Sequence, residues 1–141
     1  MTTRTASARY DGLGQSGAGH ITAQSGVLDE TPYGFSTRFG DEKGTNPEEL
    51  IAAAHASCFT MALSFALAGA GFKDGTLQTG AAVTLDKDGD GFKVTRSELT
   101  LTASVPRIEP AEFERIAAEA KANCPISKLL NADITLTHTL A

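Results

Sequence analysis

Alternation of apolar and polar residues marks strands in three stretches of the chain, and helical spacing marks the segments between them. Residues 2–40 read as short strands and turns. Ile21 and Ala23 alternate with Thr22 and Gln24, and Phe35, Thr37 and Phe39 share one strand face opposite Ser36 and Arg38. Gly12, Gly14, Gly17 and Gly19 cluster as a flexible loop, and Pro32 and Gly34 punctuate a turn around Tyr33. Residues 41–46 form a polar loop. A helix then starts at Pro47, with Asn46 as its cap and Glu48 and Glu49 at the positive end of its dipole. Asn46 and Glu49 approximate a capping box. The helix runs to about Ala68, where Gly69 and Gly71 stop it.

The second half carries cleaner signals. Residues 76–85 and 92–105 read as strands around Asp86-Lys-Asp-Gly-Asp-Gly91. The apolar positions are odd at Val83 and Leu85, even at Phe92 and Val94, and odd again from Leu99 to Val105. That switch of parity predicts a bulge near Arg96–Glu98. Pro110 opens a second helix that ends near Asn123, with Phe113, Ile116, Ala117 and Ala120 inward. A short third helix starts at Pro125 and buries Ile126, Leu129 and Leu130. Ile134, Leu136, His138 and Leu140 alternate with threonines as a last strand. The expected architecture is a single α+β domain over residues 1–141, with mainly antiparallel strands and one long central helix.

Composition narrows the function. Twelve Lys and Arg against 17 Asp and Glu give a formal charge of −5, which disfavours nucleic acid as a partner. Two cysteines are too few for a disulfide scaffold, and Met-Thr-Thr-Arg-Thr does not begin a signal peptide, so a reducing cytoplasm is the expected setting. Leu50 to Ala70 carries no formal charge and is long enough to span a bilayer. Its alanine content, its polar His55, Ser57, Thr60 and Ser64, and its lack of an aromatic belt favour a buried core or dimer helix over a membrane span.

Three further patterns have plainer readings. Gly12-Leu-Gly-Gln-Ser-Gly17 matches a dinucleotide-binding run, but the segment after it alternates like a strand, so it reads as a hairpin loop. Asp86, Asp88, Asp90 and Gly91 match the start of a calcium loop, yet Ser97 stands where a bidentate glutamate belongs, so the run reads as a solvated turn. His20, His55 and His138 show no zinc spacing with the cysteines. His55, three residues before Cys58, reads as a hydrogen-bonded core histidine, with tuning of the thiol as the alternative.

The chemistry concentrates on Cys58, mid-helix in Ala54-His-Ala-Ser-Cys-Phe-Thr-Met-Ala, and Cys124, in Ala122-Asn-Cys-Pro-Ile-Ser-Lys128. Cys124 falls in the cap region of the third helix, where exposed amides and the dipole favour its thiolate. On residue types alone the pair is either redox-active or two inert structural thiols in a non-catalytic, stress-induced binding module. In that module Phe39, Phe59 and Phe65 would fill the core or line a small apolar pocket.

Gly44-Thr-Asn-Pro-Glu-Glu-Leu50 followed by Cys58, Asn123-Cys-Pro-Ile-Ser127, and Pro32-Tyr-Gly-Phe-Ser-Thr-Arg-Phe39 together resemble the osmotically inducible protein C (OsmC) and organic hydroperoxide resistance family. The resemblance covers nearly the whole chain. It implies an OsmC-like fold, an intertwined homodimer and a thiol peroxidase that reduces organic hydroperoxides and, less well, hydrogen peroxide. It implies Cys58 as the peroxidatic and Cys124 as the resolving cysteine, joined in a disulfide during turnover. It also implies Arg38 as the cation that stabilises thiolate and alkoxide, and Glu48 as the carboxylate that orients Arg38. Residues 11–19 hold no arginine, so the OsmC branch fits better than the hydroperoxide-resistance branch. No metal, flavin or haem is implied, and an external dithiol, with a lipoyl-type one among the candidates, resets the enzyme. Glu48 and Cys58 lie ten residues apart on one helix, about 15 Å along its axis, so Glu48 does not readily serve the Cys58 of its own chain. The expected site is therefore shared, with Glu48 and Arg38 from one subunit and the cysteines from the other.

Overall fold

The computed structural model describes residues 1–141 and divides them into two compact units, Met1–Leu50 and Ile51–Ala141. In the first unit, β1 (Ala6–Asp11), β2 (Ala18–Ala23) and β3 (Thr31–Tyr33) form an antiparallel three-stranded sheet in that order. Gly12, Gly14 and Gly17 of the glycine cluster lie in the loop of the β1–β2 hairpin, whereas Gly19 is a paired residue of β2. Gly12 and Gly14 both take φ of +76°, and Tyr10 donates its hydroxyl to the Gly14 carbonyl at 2.8 Å.

A short helix, α1 (Phe35–Phe39), follows, so the strand expected over Phe35–Phe39 is corrected. An apolar-x-Thr-x-apolar run suits both a strand face and one side of a helical turn. Local contacts decide. The Gly34 N–H donates to Thr37 Oγ1 at 2.9 Å, and the Phe35 and Phe39 rings meet at 5.1 Å, one helical turn apart.

The helix α2 (Pro47–Gly69) starts at its expected proline. Asn46 Oδ1 accepts the Glu49 N–H at 2.9 Å, as an N-cap does. The return half of the capping box is absent, because Glu49 Oε1 accepts from the Thr45 hydroxyl instead. At the far end the Phe72 N–H donates to the Leu67 carbonyl at 2.9 Å across Gly71, whose φ of +98° turns the chain out of the helix.

The second unit has a mixed sheet in the order β4 (Thr76–Asp88), β5 (Gly91–Ser104), β6 (Asp133–Leu140). The β4–β5 pair is antiparallel and closes through a tight turn at Gly89, which has φ of +60°. The acidic run is this turn, and the Asp86 carboxylate accepts from the Thr95 hydroxyl. The bulge lies at Thr95 rather than in Arg96–Glu98: Val94 pairs with Leu85 and Arg96 with Thr84, leaving Thr95 unpaired. β6 runs parallel to β5, which the long crossover through α3 (Pro110–Asn123) and α4 (Pro125–Leu129) permits.

Alternation leaves one face of this sheet buried. Ser97, Leu99, Leu101 and Ala103 of β5 pack with Phe59, Leu63 and Leu67 of α2 and Phe113, Ile116, Ala117 and Ala120 of α3. Only one row of α2 is fully buried, His55-Phe59-Leu63-Leu67, each four residues from the last. Met61 and Phe65 stay 62% and 73% exposed, so α2 keeps a second apolar face open. It is the one helix long and apolar enough to cross a membrane, and that row against the sheet is what a core helix looks like. Leu129, expected inside, is also 73% exposed, because α4 is a single turn that turns Ile126 toward the core.

Candidate active site

Cys58 and Cys124 are free thiols of the second unit, and each shifts the other's titration. The local sequence explains how they meet. Cys58 sits on α2 one residue before Phe59, so it borders the buried row and is half-buried. Cys124 both ends α3 and caps α4. A residue before proline is held out of the helical region, and Cys124 takes φ −57° and ψ 125° before Pro125. The chain restarts at once as α4, so Cys124, wholly buried, stands at the N-cap ahead of the first amides of that helix, without a side-chain cap hydrogen bond to them.

Those amides divide the pair unequally. Burial pushes the Cys124 thiol up, but the polar groups of Cys58, Ser127 and Ile126 around it more than offset that, and its pKa ends below the ordinary value. Cys58 is pushed up by burial and by donating to Cys124, with the Ile126 N–H acting in the other direction. Loss of a proton from the pair is thus favoured at Cys124 over Cys58.

The first unit holds the other two expected residues. Arg38 grips Glu48 with a fork: Nε donates to Oε1 at 2.8 Å and Nη2 to Oε2 at 3.0 Å. Helical α1 sets this up, because Arg38 leaves the turn beside Phe39 and its guanidinium carbon lies 5.4 Å from that ring's centre. The fork raises the Arg38 pKa further. Glu48 is mostly buried, at 14% side-chain exposure, and Arg38 is at 35%. A cleft of about 440 Å³ opens beside the guanidinium, lined by Tyr10, Tyr33, Phe35 and Phe39 with Arg38. That volume suits a small, largely apolar ligand. Of the three phenylalanines singled out by sequence, Phe39 lines this cleft, Phe59 is core and Phe65 is exposed on α2.

His55 is wholly buried, as a core histidine, and its partners were not foreseen. Nδ1 hydrogen-bonds Ser97 Oγ at 2.6 Å and Nε2 hydrogen-bonds Ser127 Oγ at 2.8 Å. Burial lowers its pKa, so the ring is neutral. Ser127 carries a sequence signal: it stands three residues after the capping Cys124, the spacing of a capping box. Ser97 carries a weaker one, a lone polar residue on the inward, odd row of β5.

Comparison with known proteins settles the family. The profile of the OsmC-like protein family matches residues 40–139. This chain belongs to the OsmC-like family. It is 50% identical over 133 residues to peroxiredoxin OsmC of Escherichia coli (strain K12), covering 94% of this chain and 93% of that protein. It is 30% identical to the organic hydroperoxide resistance protein OhrB of Bacillus subtilis (strain 168), over 84% of this chain and 88% of that one. The crystal structure of B. subtilis OhrB superposes with a TM-score of 0.70 at 28% identity, covering 99% and 98% of the two chains. An organic hydroperoxide resistance protein from Elizabethkingia anophelis gives 0.75 at 27% identity, covering 100% and 96%. The OsmC-like architecture is α+β with two sheets and the long helix α2, as the residue patterns implied.

Proposed function

We propose that the protein is a thiol-dependent peroxidase that reduces organic hydroperoxides and, less well, hydrogen peroxide. One observation carries this reading: two free thiols that act on each other's titration at the start of α4, with loss of a proton favoured at Cys124. Similarity to a peroxiredoxin and to organic hydroperoxide resistance proteins supports the substrate class.

The proposed chemistry has three steps. The Cys58 thiolate attacks the peroxide oxygen, the O–O bond breaks, and the leaving alkoxide takes a proton to become an alcohol. Cys58 is now a sulfenic acid. The Cys124 thiolate attacks the Cys58 sulfur, the S–S bond forms, and hydroxide leaves to be protonated as water. An external dithiol then reduces the disulfide by exchange. The Arg38 guanidinium, a permanent cation, favours thiolate on Cys58 and the developing alkoxide, and Glu48 holds it in orientation. The aromatic lining of the cleft beside Arg38 favours an organic peroxide over hydrogen peroxide.

The working unit in this reading is a homodimer with shared sites. The open apolar face of α2 around Met61 and Phe65 gives a second copy a surface to cover. The ten-residue spacing of Glu48 and Cys58 argues that each site takes its Arg38–Glu48 pair from one subunit and its cysteines from the other. The setting is a reducing cytoplasm, where a dithiol reductant is available.

The test is a thiol count on fully reduced protein, before and after one equivalent of cumene hydroperoxide, with peptide mapping. Loss of both thiols as an intramolecular Cys58–Cys124 disulfide supports the reading; retention of both sinks it. Mixed dimers test the sharing. A slowed Glu48→Gln parent and an inactive Cys58→Ser parent regain sites that react at the wild-type rate when reassorted if the site is shared, and none if it is not.

A further inference from the structure

The mechanism leaves one buried polar group unused. His55 sits inside the core of the second unit with a hydroxyl on each ring nitrogen, Ser97 on β5 and Ser127 on α4. Ser127 in turn is the third residue of α4, whose N-cap is Cys124, and its hydroxyl is one of the groups that lower the Cys124 pKa. The four groups form one chain from the middle of the sheet to the resolving sulfur.

Counting protons fixes its direction. Ser127 has one hydroxyl proton; given to the sulfur, it is not available to the ring. Ser127 Oγ must then accept from His55, so the imidazole carries its proton on Nε2. The ring is neutral, so Nδ1 is a lone pair and Ser97 must donate to it. Every hydrogen bond therefore points the same way: Ser97 to His55, His55 to Ser127, Ser127 to Cys124. Bonds aligned like this polarise one another and leave the terminal hydroxyl a single favourable orientation.

We propose that His55 is a positioning residue for the resolving step: it locks the Ser127 hydroxyl as a donor to the Cys124 sulfur and so holds that sulfur as the nucleophile toward oxidised Cys58. This rests on the peroxidase reading above. The step it serves balances internally. The Cys124 thiolate forms the S–S bond, the S–O bond of the Cys58 sulfenic acid breaks, and the departing hydroxide takes up a proton as water. His55 touches neither sulfur, and its effect passes through Ser127.

The experiment separates the two oxidation steps. Reduced protein is mixed with one equivalent of cumene hydroperoxide, quenched in acid at intervals and mapped for Cys58 sulfenic acid and for disulfide. Losing a hydrogen bond to a charged sulfur slows closure about tenfold. His55→Phe and Ser127→Ala should each lower disulfide closure by that factor relative to Cys58 oxidation, and each should leave more Cys58 over-oxidised under excess peroxide. Ser127→Thr, which keeps a hydroxyl, should restore closure, and the His55→Phe/Ser127→Ala double variant should close no more slowly than Ser127→Ala alone. Unchanged closure in His55→Phe, or a double variant slower by the product of both factors, overturns the proposal. If His55→Phe does not fold, Ser97→Ala makes the same test, since it strips Nδ1 of its donor. A second measurement needs no peroxide. In a Cys58→Ser background the pH titration of the Cys124 thiolate absorbance should move to higher pH on adding His55→Phe or Ser97→Ala; an unmoved titration overturns the proposal. If the wild type forms no Cys58–Cys124 disulfide at all, the peroxidase reading fails, and this titration still judges the hydrogen-bond chain.

Discussion

Glu48→Gln isolates what the carboxylate does for Arg38. The substitution keeps the side chain's length and one acceptor oxygen but removes the charge, and turns an amide toward one arm of the guanidinium. Of the two bonds, at 2.8 and 3.0 Å, one is lost. A hydrogen bond between charged partners contributes about 1.5–3 kcal/mol. Arg38 is 35% exposed, so water replaces part of what is lost and the lower end applies. About 1.5 kcal/mol of lost positioning corresponds to about a tenfold slower oxidation of Cys58. Removing the cation itself with Arg38→Met takes away the group that stabilises developing negative charge and should cost about 100-fold. The assay is the rate of Cys58 oxidation by cumene hydroperoxide, followed by acid quench and mapping, because the chain has no tryptophan to report it. The double variant carries the argument. If Glu48 acts only through Arg38, Glu48→Gln costs nothing further once Arg38 is Met. A double variant slower than Arg38→Met by the full factor of Glu48→Gln would refute the orienting role, as would a Glu48→Gln protein that oxidises at the wild-type rate.

Three further outcomes follow from the core and the backbone. Phe59 is fully buried, so Phe59→Ala should cost about 3–5 kcal/mol in urea unfolding, and a loss below about 1 kcal/mol would mean the site collapses around the cavity. Gly75 takes φ of +143° and a Cβ there would lie 2.4 Å from the Ser104 carbonyl oxygen, so Gly75→Ala should lower stability by at least about 1–3 kcal/mol in the same assay. Burial lowers the His55 pKa from its ordinary 6.5, so below about pH 6.5 the unfolded chain binds a proton that the folded one refuses. The stability His55 contributes is whole above that pH and is lost as pH falls toward the folded value. Urea midpoints at pH 7.5 and 5.5 should therefore drop further in the wild type than in His55→Gln.

What the sequence made legible is what local chemistry decides. Pro47, Pro110 and Pro125 each open a helix where they were expected to, because proline's fixed φ and missing N–H suit the first turn. The threonine alternation of β6 survives as a one-sided strand, although nothing local says that it runs parallel to β5. Phe35–Phe39 went the other way because its apolar spacing fits two periods, and the choice falls to the Gly34–Thr37 hydrogen bond. The parity switch in β5 correctly demanded an extra residue, but its place follows the cross-strand bond from Thr95 to Asp86. Of the candidate site, both cysteine motifs and the Arg38–Glu48 pairing were readable. The partners of His55 were not, since Ser97 and Ser127 lie 42 and 72 residues away and only the folded chain brings them together.

The thiol pair makes sense of why two separate polar devices are needed. Burial, each other, and the Ile126 and Ser127 groups of α4 are what act on the two sulfurs, and their net effect favours thiolate on Cys124 over Cys58. That arrangement suits resolution, which needs a thiolate on Cys124. It opposes the first step, which needs the thiolate on Cys58. Moving the proton from one sulfur to the other requires a positive charge that favours Cys58, and a buried sulfur that gains one changes its titration steeply. The Arg38 guanidinium is charged at every accessible pH and is already oriented by Glu48, so in the proposed mechanism it is the group that supplies that bias without a proton change of its own. Once Cys58 is a sulfenic acid it holds no negative charge for the cation to stabilise, and the amides of α4 with the Ser127 hydroxyl again favour thiolate on Cys124. The order of the two attacks is then set by which sulfur is best stabilised at each stage. Loss of Arg38 should therefore slow the first step, and loss of the Ser127 hydroxyl the second.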